Sequence, residues 1–269
     1  MPLLPQWSTT PVPVIGMLHL PPLPGSSRWS GDFEALRDFV LHDAESLCVG
    51  GVDGLMIENF GDTPFYPDRV PAITIAAMTA LACEVRRQFD VPFGINVLRN
   101  DGRSALAVAV VSGASFIRVN VLCGARVTDQ GLLQGIAHDL LRERASLKAE
   151  AIRILADVDV KHSAPLAARP IGEEAHDLEG RGLADAVLVT GSGTGRGVDR
   201  RDLDAVLAAV RGPVLVASGV TLGTLAEVRA AHGVVVGSCL RASGRAGDPV
   251  DVDVARRFAD AFRASRAGG

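Results

Sequence analysis

Eight short apolar runs, each followed by an amphipathic stretch, leave this chain few folds to choose from. The strand-like runs cover 14–18, 54–58, 93–97, 115–120, 152–160, 186–190, 213–217 and 233–237. The helical patterns cover 33–50, 71–89, 100–113, 132–149, 171–183, 199–210, 222–231 and 251–264. Short apolar runs bounded by breakers are strands buried on both faces, as happens when helices cover a parallel sheet. Eight such units in 269 residues predict an α/β protein built as one closed (β/α)8 TIM barrel, a single domain over 1–269. Residues 1–13 are then an N-terminal extension, and 265–269 are expected to be a flexible tail. Asp32, Pro71 and Asp251 stand where helices should begin. An open doubly wound sheet competes, but it needs fewer strands and a glycine fingerprint after the first.

Charge and cysteine usage exclude several classes. A net charge of −4 gives no electrostatic footprint for nucleic acid. Cys48, Cys83, Cys123 and Cys239 are far apart and form no C-x-x-C pair, so neither a disulfide framework nor a zinc site is indicated. The start, MPLLPQWSTTPVP, has no basic region followed by an apolar core, and uncharged runs such as 104–117 are too short to cross a bilayer. A cytoplasmic protein without a transmembrane segment, assembled as a homo-oligomer, is expected.

In a barrel of this kind the active face lies at the carboxyl ends of the strands. Pro21, Pro22 and Pro24 force the first strand to stop just after His19, which places that histidine at the mouth. Alternation sends Met17 and His19 inward together, with Glu58 ending the second strand and Gly94 and Asn96 inward on the third. On the fourth strand Phe116, Arg118 and Asn120 face in. On the fifth, "RILADVDVKH" turns Leu155, Asp157, Asp159 and Lys161 inward, with His162 just beyond. Any one of these polar groups could be structural. Five successive strands delivering them to one mouth would cost several kcal/mol of desolvation without a functional return.

The later strands carry glycine. "VTGSGTGRGVD" (189–199) satisfies neither G-x-G-x-x-G nor the P-loop spacing, which leaves a lid or a cradle of backbone N–H groups at Gly191, Ser192, Gly193 and Thr194. Ser218-Gly219 and Gly237-Ser238 end the seventh and eighth strands, the usual phosphate site of phosphosugar barrels.

These stretches resemble the BtpA/SgcQ family of TIM-barrel proteins over almost the full chain. The matching runs include "VIGMLHLPPLPGS", "GVDGLMIENFGDTPF", "PFGINVLRNDGRSALAVA", "FIRVNVLCGARVTDQGLL", "ILADVDVKHSAPL", "ADAVLVTGSGTGRGVD" and "VVVGSCLR". The resemblance implies the barrel. It also implies two roles, since some relatives are named for photosystem I biogenesis and others for placement with carbohydrate metabolism. It supplies no agreed catalytic residue set.

The residues themselves predict an enzyme on a phosphorylated sugar or nucleotide-like small molecule, of isomerase, lyase or glycosyl-bond type. Glu58 and Asp157 would divide the acid and base roles, with His19 beside them. Arg118 and Lys161 would stabilise negative charge, and Asn96, Asn120, Asp159 and His162 would bind substrate. Asp157 and Asp159 are expected to raise the Lys161 pKa, with Arg118 pulling the other way, so that Lys161 acts as a charge rather than an imine former. No cofactor is firmly implied. Glu58, Asp157 and Asp159 form a weak alternative site for Mg²⁺ or Mn²⁺, against which the adjacent ammonium argues. The competing class is a non-catalytic assembly or stability factor.

Overall fold

The barrel strands are buried on both faces, outside by helices and inside by the other strands, and most of their residues are apolar. The computed structural model describes residues 2–191, 193 and 197–267. In chain order the strands are β1 (Val14–His19), β2 (Gly54–Glu58), β3 (Phe93–Asn96), β4 (Phe116–Val119), β5 (Ala125–Thr128), β6 (Gly131–Gln134), β7 (Arg153–Val158), β8 (Ser163–Pro165), β9 (Ala186–Val189), β10 (Val214–Val216) and β11 (Val234–Val236). The helices are α1 (Phe33–Val49), α2 (Ala72–Gln88), α3 (Gly102–Ser112), α4 (Ala137–Ser146), α5 (Ile171–Gly180), α6 (Arg200–Ala209) and α7 (Val252–Ala267). Eight strands close into a parallel barrel in the order β1-β11-β10-β9-β7-β4-β3-β2, and β6-β5-β8 form a separate three-stranded antiparallel sheet. The predicted (β/α)8 TIM barrel is the fold found.

Two cores hold it together. Between strands and helices lie Leu18, Leu47, Ile57, Ile95, Ile117 and Ile154 with their neighbours. Inside the barrel lie Ile15, Met17, Met56, Phe116, Leu155, Leu188, Leu215 and Val235. The N-terminal extension is part of this interior: Leu4 and Trp7 join the inner core. The Trp7 indole N–H donates to the Asp53 carbonyl at 2.8 Å, and its ring lies 5.9 Å from that of Phe116. Asp32 caps α1 and Asp251 caps α7 as anticipated, each accepting from first-turn backbone N–H groups.

Two expectations about elements are corrected. The helix expected over 132–149 begins only at Ala137, because 131–134 is the second arm of a hairpin. Leu133 is buried between exposed Leu132 and Gln134, a strand's period of two, and Gly131 turns at φ +100°. The helix expected over 222–231 is a single 3-10 turn, Leu222–Thr224, followed by further turns. Helix α7 runs through Ala267. Among the described residues no helix is long and apolar enough to cross a membrane.

Candidate active site

The barrel's register builds the mouth. His19, Glu58, Asn96 and Arg118 are successive partners across β1, β2, β3 and β4, so they form one row of buried polar side chains. Two residues earlier, Met17, Met56, Gly94 and Phe116 form the matching row beneath. Period-two alternation makes the lower row an apolar floor and the upper row the candidate site.

Asp157 is locked into this row from β7. Arg118 grips its carboxylate through Nε at 3.2 Å and Nη2 at 3.1 Å, and the Asn120 amide donates to it at 2.5 Å. Asn96 spends its amide N–H on the Arg118 carbonyl at 3.1 Å. Glu58 is different: among the described residues no hydrogen bond reaches its side chain, and His19 Nε2 lies 3.9 Å from its Oε1. His19 Nδ1 accepts from the Gly247 N–H at 3.3 Å, so a neutral ring carries its proton on Nε2, toward Glu58. The Phe60 ring packs 4.4 Å from the imidazole.

Burial, joined by the Arg241, Lys161 and Arg118 charges, holds the His19 pKa well below its ordinary value of 6.5. As pH falls, the unfolded chain therefore takes up the proton before the folded one does, and stability is lost from about pH 6.5 downward until the folded pKa is reached. Chemical denaturation between pH 7.5 and 5.5 should show His19→Gln losing roughly 1 kcal/mol less than the parent over that span. Parallel curves would mean that His19 is not a buried neutral imidazole.

Asp159 and Lys161 part company. β7 ends at Val158, and Asp159 adopts φ +52°, which breaks the expected alternation. Its half-exposed carboxylate pairs with Arg126 of β5 at 2.9 Å, beside a different cavity of about 330 Å³ that Asn120 and Asp157 also line. Asp159 thus ties down the hairpin rather than facing the row. Lys161 does face the mouth. Burial lowers its pKa; Glu58 is the chief opposing charge, while Arg118 and Arg99 push the same way as burial. The expected upward shift is overturned, because desolvation outweighs the carboxylates and Asp159 has turned away.

Two cavities meet at Lys161 and Arg118. The narrow one, about 30 Å³, is bounded by His19, Ser218, Gly219, Gly237 and Ser238. The larger, about 400 Å³, is bounded by Glu58, Phe60, Phe65, Leu98, Arg99, Asn120 and His162, with exposed Asp129 at its rim. Gly219 sits at φ +64°, and a Cβ at Gly237 would stand 2.9 Å from His19 Cε1, so both glycines are sterically required where they are. The Ser218 hydroxyl donates to the Gly193 carbonyl at 3.2 Å, linking the loop after β9 to this corner. Gly191 is buried but does not line the narrow cavity. Ser192 and Thr194 lie outside the described residues. Arg241, which could have supplemented this corner, is fully buried and donates to the carbonyls of Gly237, Met17 and Asp248, clasping the loop after β11.

Glu58, Asp157 and Asp159 are not assembled for a metal: Asp159 points to β5, and Arg118 and Asn120 hold Asp157. Among the described residues no group of three or more His, Cys, Asp or Glu side chains is placed to hold an ion. Sequence reasoning missed Arg99, a buried guanidinium whose Nη2 donates to the Lys161 carbonyl at 2.6 Å. The signal was the run Arg99-Asn100-Asp101, three polar residues between a strand end and a helix start. Asn100 clasps the Val121 backbone through both N–H and C=O, and Asp101 caps α3, which leaves Arg99 for the cavity.

The fold is that of a TIM-barrel protein, with a buried row of mixed-charge side chains at the carboxyl ends of its strands. The chain belongs to the BtpA family, whose model matches residues 10–264. It is 44% identical over 241 residues to the photosystem I biogenesis protein BtpA of Synechocystis sp., covering 89% of this chain and 84% of that one. Among solved structures it resembles phosphoribosyl anthranilate isomerase from Thermococcus kodakaraensis, with a TM-score of 0.57, 16% identity, and coverage of 96% of this chain and all of that one (100%). It also resembles KGPDC from Streptococcus mutans in complex with D-R5P, at a TM-score of 0.58 and 12% identity over 96% of this chain and 100% of the other. At these identities the likeness to the solved structures is one of fold.

Proposed function

We propose that the chain is an enzyme acting on a small phosphorylated molecule, a sugar phosphate or nucleotide-like compound, by acid–base chemistry in the barrel mouth. The observation that carries this reading is the pair of cavities meeting at Lys161 and Arg118: one narrow and glycine-walled at β10 and β11, the other large and bordered by Glu58. The narrow side suits the phosphate, with backbone amides around Gly219 and Gly237 as donors. The large side suits the reacting body. Glu58, without a hydrogen bond among the described residues, is placed to accept a proton, and the His19 Nε2 proton is available to a substrate oxygen. Lys161 and Arg118 would stabilise the charge that develops.

This division departs from a Glu58–Asp157 acid–base pair. Asp157 positions Arg118, and Glu58 works with His19. Asn120 and His162 border the larger cavity; Asn96 braces the Arg118 backbone from the neighbouring strand β3. Proton transfer beside a carbonyl or a leaving oxygen serves isomerase, lyase and glycosyl-bond reactions alike.

Ribose 5-phosphate should raise the melting temperature of the parent where ribose does not, and Gly237→Val should lose most of that shift, because its side chain enters the space of His19 and the phosphate. An equal shift in parent and variant would overturn the phosphate assignment. A second reading, a non-catalytic assembly role, is supported by the name of the Synechocystis relative. It predicts that no phosphorylated probe stabilises the parent at all.

A further inference from the structure

Arg118, Lys161 and Arg99 line the larger cavity, where Glu58 and, behind Arg118, Asp157 are the buried carboxylates. Arg118 is committed to Asp157. Lys161 shares the cavity wall with Glu58, its chief opposing charge, though no ion pair joins the two among the described residues. Arg99 remains. It is 4% exposed, it lines the cavity, and its one hydrogen bond among the described residues goes to a neutral carbonyl, that of Lys161. Its Nε has no hydrogen-bond partner there. Asp157, Glu58 and exposed Asp129 act on it through space, but none forms an ion pair with it among the described residues. A guanidinium stripped of water and left without a counter-ion is unfavourable, so its persistence points to a charge that arrives with the ligand.

Resting on the reading above, we infer that the ligand carries a second acidic group in addition to its phosphate, and that Arg99 binds it in the larger cavity. Arginine's planar fork suits a carboxylate edge-on and also accepts phosphate oxygens. Asn120 adds a further demand: it lines the same cavity, and its buried Oδ1 lacks a donor among the described residues. A ligand hydroxyl or N–H supplies that donor. The substrate class is therefore a phosphorylated acid that also carries a hydroxyl or amine.

The test compares probes that differ in the second acidic group. 6-Phosphogluconate and 3-phosphoglycerate are set against glucose 6-phosphate and glycerol 3-phosphate, with fructose 1,6-bisphosphate as the two-phosphate arm, by thermal shift and calorimetry on the full chain. At least one acidic probe should bind about tenfold or more tighter than its neutral counterpart. Arg99→Met should erase that advantage while leaving the response to glucose 6-phosphate in place, and Arg99→Lys should restore part of it. Preference among the acidic probes distinguishes a carboxylate from a second phosphate. Equal binding of acidic and neutral phosphates by the parent overturns this inference alone, as does an advantage that survives in Arg99→Met. If no phosphorylated probe binds, both this inference and the phosphate reading fall. The parent comparison stands even if Arg99→Met does not fold.

Discussion

Replacing Arg118 with methionine is expected to lower stability by about 3–5 kcal/mol at pH 7, because it abandons the Asp157 carboxylate in a dry barrel. Both side chains are buried, and the pair is held by bonds of 3.1 and 3.2 Å. For a chain of this size that loss is a drop in melting temperature of roughly 10 °C. The double variant Arg118→Met/Asp157→Leu should recover most of it, since apolar groups of similar volume replace a buried pair with little net loss. Recovery stays partial because the Asn120 amide then lacks the acceptor it now has at 2.5 Å. Urea melts of parent, single and double variants provide the measurement. The double variant also separates stability from function: it should fold and yet bind no phosphorylated probe, since Arg118 borders both cavities. A single variant as stable as the parent would show that Asp157 is relieved by some other route.

The same physics explains what could be read from the sequence and what could not. His19, Glu58, Asn96 and Arg118 were legible at one mouth because a strand's period of two is rigid and strand ends are marked, while the cross-strand register that makes them a row is seen only in the fold. Asp159 was misplaced because that period ends where the strand ends, and the φ of +52° that ends β7 leaves no mark on an Asp-Val-Lys string. The β5–β6 hairpin was hidden by its length, since four-residue strands carry too few positions to tell Leu132-Leu133 from the start of a helix. Lys161 was read with the wrong sign because neighbouring carboxylates are visible in a sequence and desolvation is not. Arg99 was overlooked because it sits past the end of β3, where direction is set by the clasps of Asn100 and Asp101 rather than by periodicity.

The floor beneath the site yields the other large effect. Phe116 fills the barrel interior against Trp7 and directly over Gly94, where a Cβ would stand 2.2 Å from its ring carbons. Phe116→Ala should cost about 3–5 kcal/mol through the cavity it opens beneath the polar row. Gly94→Ala should cost about 1–3 kcal/mol for the opposite reason, since the added methyl meets a ring with nowhere to go. The two changes share one space, so they should not add. In a Phe116→Leu background, Gly94→Ala should be nearly neutral, and the cycle should show a coupling of about 1 kcal/mol or more in the compensating direction. Additive losses would mean that the ring yields elsewhere and that Gly94 is small for another reason. Compensation would tie the shape of the floor to the register above it: Gly94 lies two residues before Asn96, and Phe116 two before Arg118.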